Sequence, residues 1–210
     1  MMKMERNEKM WFDWVADTIK EGKIGLDYTQ YPSASVEMRL KFFQGKGLQL
    51  EHHANLVDIV WGTDRPSRPK NPVKMLDIKY AGEESITKYN RLAEKLDGKP
   101  LLVTTLDDIA WLLNCRGTDI SYNPVFFSYV IFFPEDKTVN LYIDEEKVES
   151  IREYLESIKV TVLPYEQIDA ALTEMAAQED AKIKIHANTC NAHLTNIVKD
   201  IKVVLEDNPI

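Results

Sequence analysis

The side chains with the clearest chemistry lie in a short polar segment between two apolar runs. Arg116 and Asp119 stand on either side of Gly117, so their guanidinium and carboxylate groups could form a local ion pair. Gly117 would allow the left-handed backbone that such a turn needs. Tyr122 and Asn123 follow and add an aromatic ring and an amide. Two interpretations stay open: the charged pair locks the turn, or the turn faces another domain or a substrate.

The four histidines are weak candidates for a metal site. His52 and His53 are adjacent at the end of a predicted strand, so their side chains point to opposite faces of the sheet. His186 and His193 flank a predicted strand-to-helix turn and could approach each other, with Cys190 as the nearby thiol. A zinc site would need further carboxylates or thiols. We therefore interpret all four as structural histidines.

The acids and the remaining thiol form no recognisable catalytic motif. Asp27 is the best single acid, because it ends a predicted strand, and ligands bind in crevices at strand ends. A hydrolase that combines Asp27 with acids from later strands, as in ribonuclease H-like folds, is one hypothesis, but no partner motif supports it. Most of the adjacent acid pairs begin predicted helices, where acids stabilise the helix dipole. Cys115 has no nearby base in the sequence to activate it.

The composition is typical of a soluble globular protein whose 210 residues can bury a core. A net charge of -8 argues against nucleic acid as a partner, since phosphate binding needs a basic face. No apolar run approaches the length of a membrane span, and the N-terminus lacks the apolar middle of a signal peptide. Two cysteines give no disulfide framework. We expect a cytoplasmic protein that binds neither nucleic acid nor membranes.

A helix, the polar turn and a strand follow one another and must position these groups. Residues 106–113 are predicted to be a helix that begins after Thr105, with Asp108 placed as in a capping box. Residues 125–133 are β-branched and aromatic almost throughout, which favours a central strand covered on both faces. Elsewhere strands alternate with helices, except at one hairpin. The prediction is an α/β fold: a mixed sheet of about six strands with helices on both faces.

One long irregular segment, residues 62–72, interrupts this alternation. Its prolines recur at every third position, which favours extended, polyproline-like backbone. The helix and strand patterns on either side need each other to form a core. We therefore predict a surface strap and not a linker between domains.

Three segments resemble the cytosolic, three-domain type of Xaa-Pro aminopeptidase, or aminopeptidase P. The matching residues are Arg116, Gly117, Asp119 and 123–129 in the first segment; 55–58, Trp61, 63–66, Arg68 and Pro69 in the second; and 23–27 in the third. The resemblance covers nearly the whole chain, but only the middle domain of that family, which does not perform the catalysis. Cys115 departs from the family pattern, where an apolar residue is usual, and this departure implies a packed residue.

The resemblance implies the creatinase N-terminal-like, or ribonuclease H-like, fold. Residues 1–10 would end an upstream domain or linker, residues 11–205 would form the middle domain, and residues 206–210 would begin a linker to a missing C-terminal catalytic domain. Arg116, Asp119, Tyr122 and Asn123 would then belong to an inter-domain turn.

The resemblance also implies an activity for the whole enzyme, a metalloprotease that removes the N-terminal residue of peptides with proline second. Two divalent metal ions, usually manganese, would be held by the missing catalytic domain, so no catalytic, metal-binding or substrate-binding residue carries over to this chain. The expected partners are the N-terminal and C-terminal domains of the same polypeptide, and the whole enzyme is expected to be a homodimer. The alternative is a free-standing binding or assembly module with the same fold and no peptidase partner.

Overall fold

The computed structural model describes residues 9–210, so most of the predicted upstream segment, residues 1–10, lies outside the described part. The first elements form a small unit with a core of its own around Val36, Phe43 and Leu50. These elements are α1 (Trp11–Thr18), β1 (Lys23–Leu26), α2 (Ser33–Gln44), β2 (Gln49–His52) and α3 (Leu56–Trp61). Strands β1 and β2 pair in parallel and form a separate two-stranded sheet.

The remaining elements build the main unit. They are β3 (Lys74–Met75), α4 (Ile78–Ala81), α5 (Ser85–Glu94), β4 (Leu101–Val103), α6 (Leu106–Leu112), β5 (Cys115–Arg116), β6 (Tyr129–Phe133), β7 (Thr138–Tyr142), α7 (Arg152–Ser157), β8 (Val160–Leu163), α8 (Ile168–Ala176), β9 (Ile183–His186), α9 (Ala192–Ile197) and β10 (Lys202–Leu205). Six strands form one sheet in the order β10-β9-β4-β6-β7-β8. Strand β6 is antiparallel to both neighbours, and the other pairs are parallel. The predicted mixed sheet of about six strands is confirmed.

Side chains of the main sheet alternate between two apolar layers, as the strand pleat requires. Leu101 and Val130 belong to the layer that includes buried residues of α5, α6 and α7. Leu102 and Ile131 belong to the opposite layer, together with buried residues of α8 and α9. Helices therefore cover both faces, and the predicted central strand is confirmed as β6. It begins at Tyr129, and residues 125–128 lead into it without regular strand structure.

Backbone hydrogen bonds attach the small unit to the main one. The amide of Ser33 donates to the carbonyl of Cys190 at 2.9 Å, and the amide of Ala192 donates to the carbonyl of Tyr31 at 2.9 Å. Ala192 also packs in the core of the small unit. The small unit therefore packs against the loop before α9 and the start of that helix.

The predicted surface strap, residues 62–72, contacts the main unit through its second half. Arg68 forms an ion pair with Glu166, and its guanidinium lies 4.0 Å from the ring centre of Tyr165. Further along, Nδ2 of Asn71 donates to the carbonyl of Thr118 at 3.3 Å. These contacts hold the strap on the surface and bring it beside the polar segment that follows α6.

The start of α6 differs from the expectation. Thr105 precedes the helix, but its side chain makes no capping hydrogen bond, so the predicted capping box is wrong. Oδ2 of Asp108 instead accepts a hydrogen bond from Nδ2 of Asn208 at 2.7 Å. Asp107 and Asp108 still lie in the first turn, where they favour the helix dipole. No helix in the described part of the chain is long and apolar enough to cross a membrane.

Candidate functional site

The segment between α6 and β6, residues 114–124, is a turn closed by its own backbone. We call it the α6–β6 turn. The amide of Gly117 donates to the carbonyl of Pro124 at 3.2 Å, and the amide of Asp119 donates to the carbonyl of Val125 at 3.2 Å. At the start of the turn, β5 pairs antiparallel with β3. Because core elements anchor both ends, the side chains of the turn have definite positions.

Gly117 is required by close packing and not, as predicted, by a left-handed backbone. The left-handed residues of the turn are Asn114, with a φ of 49°, and Tyr122, with a φ of 64°. A β-carbon at Gly117 would lie 2.7 Å from the β-carbon of Phe126 and 2.9 Å from the carbonyl oxygen of Val125. Protein interiors are packed too densely to yield that space. The chain doubles back on itself at this point, and only glycine fits.

The predicted ion pair between Arg116 and Asp119 does not form, so that prediction was wrong. Nη1 of Arg116 donates to the carbonyl oxygens of Ala110, at 2.9 Å, and Cys115, at 2.8 Å. Ala110 lies in the last turn of α6, where carbonyl groups have no partner within the helix. A cation at that end also favours the helix dipole. Arg116 therefore satisfies the end of α6 and is not available to Asp119.

Asp119 turns into the protein and pairs with Lys147. Its Oδ2 accepts hydrogen bonds from Nζ of Lys147 and from the amide of Phe127, the latter at 2.7 Å. Both charged side chains are buried, with 0% of Asp119 and 1% of Lys147 exposed. The other oxygen, Oδ1, is also buried and has no hydrogen-bond partner in the described part of the chain. Loss of either partner would leave an uncompensated buried charge, so this pair locks the turn to the segment before α7.

The outer end of the turn carries Tyr122 and Asn123. The side chain of Tyr122 is fully exposed, although its left-handed backbone costs a non-glycine residue about 1–2 kcal/mol. The amide of Asn123 donates to the carbonyl of Ile120 at 3.1 Å, and Ile120 is exposed as well. The four predicted site residues therefore divide into two that hold the turn, Arg116 and Asp119, and two that face outward.

Two buried lysines that hold the turn were not predicted. Nζ of Lys88 donates to the carbonyl of Trp111 at 2.7 Å and to Oδ1 of Asn114 at 2.5 Å, and burial lowers the pKa of Lys88. Lys147 is the partner of Asp119. Lysine side chains are usually exposed, so the sequence predicts a surface position for both residues. The one available signal was spacing, since Lys88 lies four residues before buried Leu92 on the same face of α5.

The remaining candidates make local contacts. Oδ1 of Asp27 accepts hydrogen bonds from the amide of Thr29, at 2.9 Å, and from its hydroxyl, at 2.7 Å, so Asp27 caps a short 3-10 turn. Nε2 of His193 lies 2.7 Å from Oδ2 of Asp169, and the His193 ring centre lies 6.1 Å from that of His52. Within residues 9–210, no group of three or more His, Cys, Asp or Glu could hold a metal ion.

Both thiols are poorly suited to nucleophilic chemistry. Sγ of Cys115 donates to the carbonyl of Leu113 at 3.3 Å, and burial raises the pKa of Cys115 to about 12. Burial also raises the pKa of Cys190 to about 11. The thiolate is the reactive form, and it is strongly disfavoured at both positions at neutral pH.

Comparison with known proteins relates this arrangement to one family. The family model described as the creatinase/prolidase N-terminal domain matches residues 64–210. A probable Xaa-Pro aminopeptidase P from Tuber melanosporum is 45% identical over 166 residues, which are 75% of this chain and 26% of the relative. One from Chaetomium globosum is 39% identical over 180 residues, 82% of this chain and 28% of the relative.

A solved structure is similar over a still larger part of the chain. An X-prolyl aminopeptidase from Caenorhabditis elegans, described as a cytosolic enzyme with a di-nuclear active site, covers 96% of this chain with a TM-score of 0.85 and 29% identity. This chain covers 34% of that protein. It thus spans about a quarter of the length of the curated relatives it matches and about a third of the solved structure.

Proposed function

This chain belongs to the creatinase/prolidase N-terminal domain family, and from that premise we propose that it is the non-catalytic middle domain of a metal-dependent Xaa-Pro aminopeptidase. The whole enzyme would remove the N-terminal residue that precedes proline in a peptide. The observation that carries the proposal is the similarity of 96% of the chain to 34% of an X-prolyl aminopeptidase. The role of the domain would be structural: it holds neighbouring domains in place, with the α6–β6 turn as one contact.

The residues described here do not fit the two divalent metal ions that such an enzyme uses. A two-metal centre needs several carboxylate and imidazole ligands that converge on a site open to substrate. Residues 9–210 contain no group of three or more candidate ligands. We therefore propose that the metals, manganese by family resemblance, are bound by another part of the polypeptide.

We also propose a domain boundary near residue 64 in place of the expected boundary near residue 11. The family match begins at residue 64, and the elements before it have their own sheet and core. The first sixty or so residues would then complete an upstream domain. At the other end, Ile210 packs against the main core, and Nζ of Lys95 donates to the carbonyl of Pro209 at 2.8 Å. Residues 206–210 would therefore still belong to the domain, in place of the linker expected from residue 206.

The partners of this chain would be the N-terminal and C-terminal domains of the same polypeptide, in a homodimeric cytoplasmic enzyme. The cytosolic description of the relative from Caenorhabditis elegans supports this location. Tyr122, whose side chain is fully exposed, and Ile120 are the groups of the α6–β6 turn that would contact a neighbouring domain.

The purified 210-residue chain is expected to release no N-terminal residue from a peptide with proline second, even with manganese added. The reason is that a metallopeptidase needs ligands for the ion and an open position for water. Amino-acid release is followed by mass spectrometry, with the full-length polypeptide as the active control. Turnover that stays with the chain through successive purification steps would contradict the proposal. A native protein of only 24.2 kDa in its source would favour the free-standing module instead.

Two variants, Tyr122→Ala and Arg116→Ala, are expected to distinguish a residue that contacts another domain from a residue that stabilises the turn. Tyr122 touches nothing that holds the fold, so its replacement should change the free energy of unfolding of the chain by less than about 0.5 kcal/mol. In the full-length enzyme it should lower kcat/KM roughly fivefold to tenfold, the loss expected of an aromatic interface anchor.

Arg116→Ala should destabilise the isolated chain by about 1.5–3 kcal/mol, because it removes charged hydrogen bonds to two carbonyl groups. The same loss of activity without loss of stability at Arg116 would reverse these assignments.

A further inference from the structure

Five of the six residues of helix α3 are apolar, and none of its residues is buried. Its apolar residues are exposed by between 49% and 88%, and they are Leu56, Val57, Ile59, Val60 and Trp61. Soluble proteins rarely leave such a contiguous group of large apolar side chains in water without a function. We call these five residues the α3 patch.

Groups outside the α3 patch stabilise the helix that carries it. Oδ1 of Asn55 caps the helix by accepting a hydrogen bond from the amide of Val57 at 2.9 Å. Nη1 of Arg65, in the surface strap, lies 2.7 Å from Oδ2 of Asp58. A six-residue helix is too short to be stable by helix propensity alone, and the apolar face of a helix is normally packed against another surface. The Asn55 cap and the Asp58–Arg65 ion pair therefore support a helix that would be stabilised further if another surface covered its apolar side chains.

The covering surface must be apolar and uncharged. Asp58 is the single charged residue of α3, and Arg65 already neutralises it. The remaining side chains offer only apolar contact, with the indole nitrogen of Trp61 as the exception. A nucleic acid or an acidic peptide would find no complementary charge on the helix itself.

A second copy of the chain does not suit this patch. A helix of six residues is about 9 Å long. A stable interface between separate proteins buries about 800 Å² and about 20–30 residues on each side, far more than five side chains provide. A contact within one polypeptide needs much less area, because the covalent connection keeps the effective concentration high. The patch also lies directly before residue 64, where the family match begins, and the chain spans only 26–28% of its curated relatives.

We infer that the α3 patch is an anchor for the rest of the upstream domain to which α3 belongs, and that this part of the same polypeptide covers the patch with an apolar groove. This inference rests on the proposed function, since it requires the longer enzyme. It goes beyond that proposal by naming a contact surface that is separate from the α6–β6 turn and lies in the unit before the family match.

The test is the reactivity of a thiol placed in the patch. Val60→Cys is made in the 210-residue chain and in the full-length enzyme, and labelling by a maleimide at residue 60 is followed by peptide mass spectrometry. Cys115 and Cys190 are buried, so they give little background in the folded chain. Glu156→Cys, at an exposed position of α7, is the matched control. Thermal melting of each variant confirms that it is folded.

In the 210-residue chain, residues 60 and 156 should be labelled at similar rates. In the full-length enzyme, labelling at residue 60 should slow at least about tenfold, the effect of about 1.4 kcal/mol of protection, while labelling at residue 156 should not change. Equal labelling of residue 60 in both proteins would overturn the inference and leave the proposed function intact. Protection in the short chain, together with a doubled mass in solution, would overturn it in favour of a second copy. A native protein of 24.2 kDa would remove the proposed function and this inference together.

Discussion

Asp119→Ala is expected to lower the free energy of unfolding of the chain by about 3–5 kcal/mol. Asp119 and Lys147 are buried together, and the carboxylate also accepts a hydrogen bond from the amide of Phe127. Removal of the carboxylate leaves the ammonium of Lys147 in a low-dielectric interior without a counter-charge, and it leaves the part-buried amide of Phe127 without an acceptor. Urea denaturation measures the loss as a shift of the midpoint at constant slope.

An exposed ion pair on the same side of the molecule provides the matched control. Nζ of Lys70 lies 3.2 Å from Oε2 of Glu146, and both side chains are mostly exposed. Glu146→Ala should change the free energy of unfolding by less than about 1 kcal/mol, because water screens that pair. A midpoint shift for Asp119→Ala no larger than that for Glu146→Ala would show that the buried pair is not a lock.

Two further variants at this pair keep the test decisive if Asp119→Ala fails to fold. Asp119→Asn retains an acceptor for the amide of Phe127 and should lose less stability than the alanine variant. The double variant Asp119→Leu/Lys147→Met leaves no buried charge unpaired, so it should recover part of the loss. Stability lower in the double variant than in Asp119→Ala would contradict the charge argument.

The second large effect is expected at alkaline pH, where the chain should lose stability between about pH 9 and pH 12. Burial raises the pKa of Cys115 from 9.0 to about 12. In that window the unfolded chain releases the thiol proton while the folded chain keeps it, so the unfolded state binds fewer protons and stability falls as pH rises. The stabilisation is complete below pH 9 and is lost by pH 12. For this one thiol it corresponds to roughly 4 kcal/mol.

Cys115→Ala isolates this contribution from other alkaline titrations. Burial also raises the pKa of Tyr89, but Tyr89 is present in both proteins and its effect cancels in the difference. The variant should be less stable at pH 7 by about 1 kcal/mol, because it leaves a small cavity. Its free energy of unfolding should fall less steeply above pH 9, so the two curves should converge or cross. If the free energies of unfolding of the two proteins change in parallel from pH 7 to pH 12, the titration of the Cys115 thiol does not contribute to the loss of stability.

The main sheet was predictable because its signals are local. A strand with both faces covered reads as a continuous apolar run, and residues 130–132 in the middle of that run are fully buried. The α6 helix, the turn and β6 follow one another in the sequence, so their order needed no long-range information. The family resemblance likewise rests on short contiguous segments, and the match of the family model to residues 64–210 agrees with it.

The partners of the polar side chains were not predictable from spacing. Arg116 and Asp119 are three residues apart, which suggested a pair, but Arg116 reaches back to Ala110 and Asp119 reaches forward to Lys147. Each choice depends on which backbone or charge the packed elements place within about 3 Å. Lys88 and Lys147 were overlooked for the same reason: the groups that compensate their burial lie 23 to 28 residues away in the sequence.

The sequence by itself determined the alternation of the main strands and helices, the central position of β6 and the family, because these depend on patterns within single elements; the short elements β3, α4 and β5 were not predicted. Tertiary structure alone decided that β1 and β2 form a separate sheet and that Gly117 leaves no room for a β-carbon. It also decided that the five apolar side chains of α3 are exposed to water. These features depend on distances between elements that are far apart along the chain. Such distances are fixed only when the elements pack, so no local pattern of residues can encode them in a readable form.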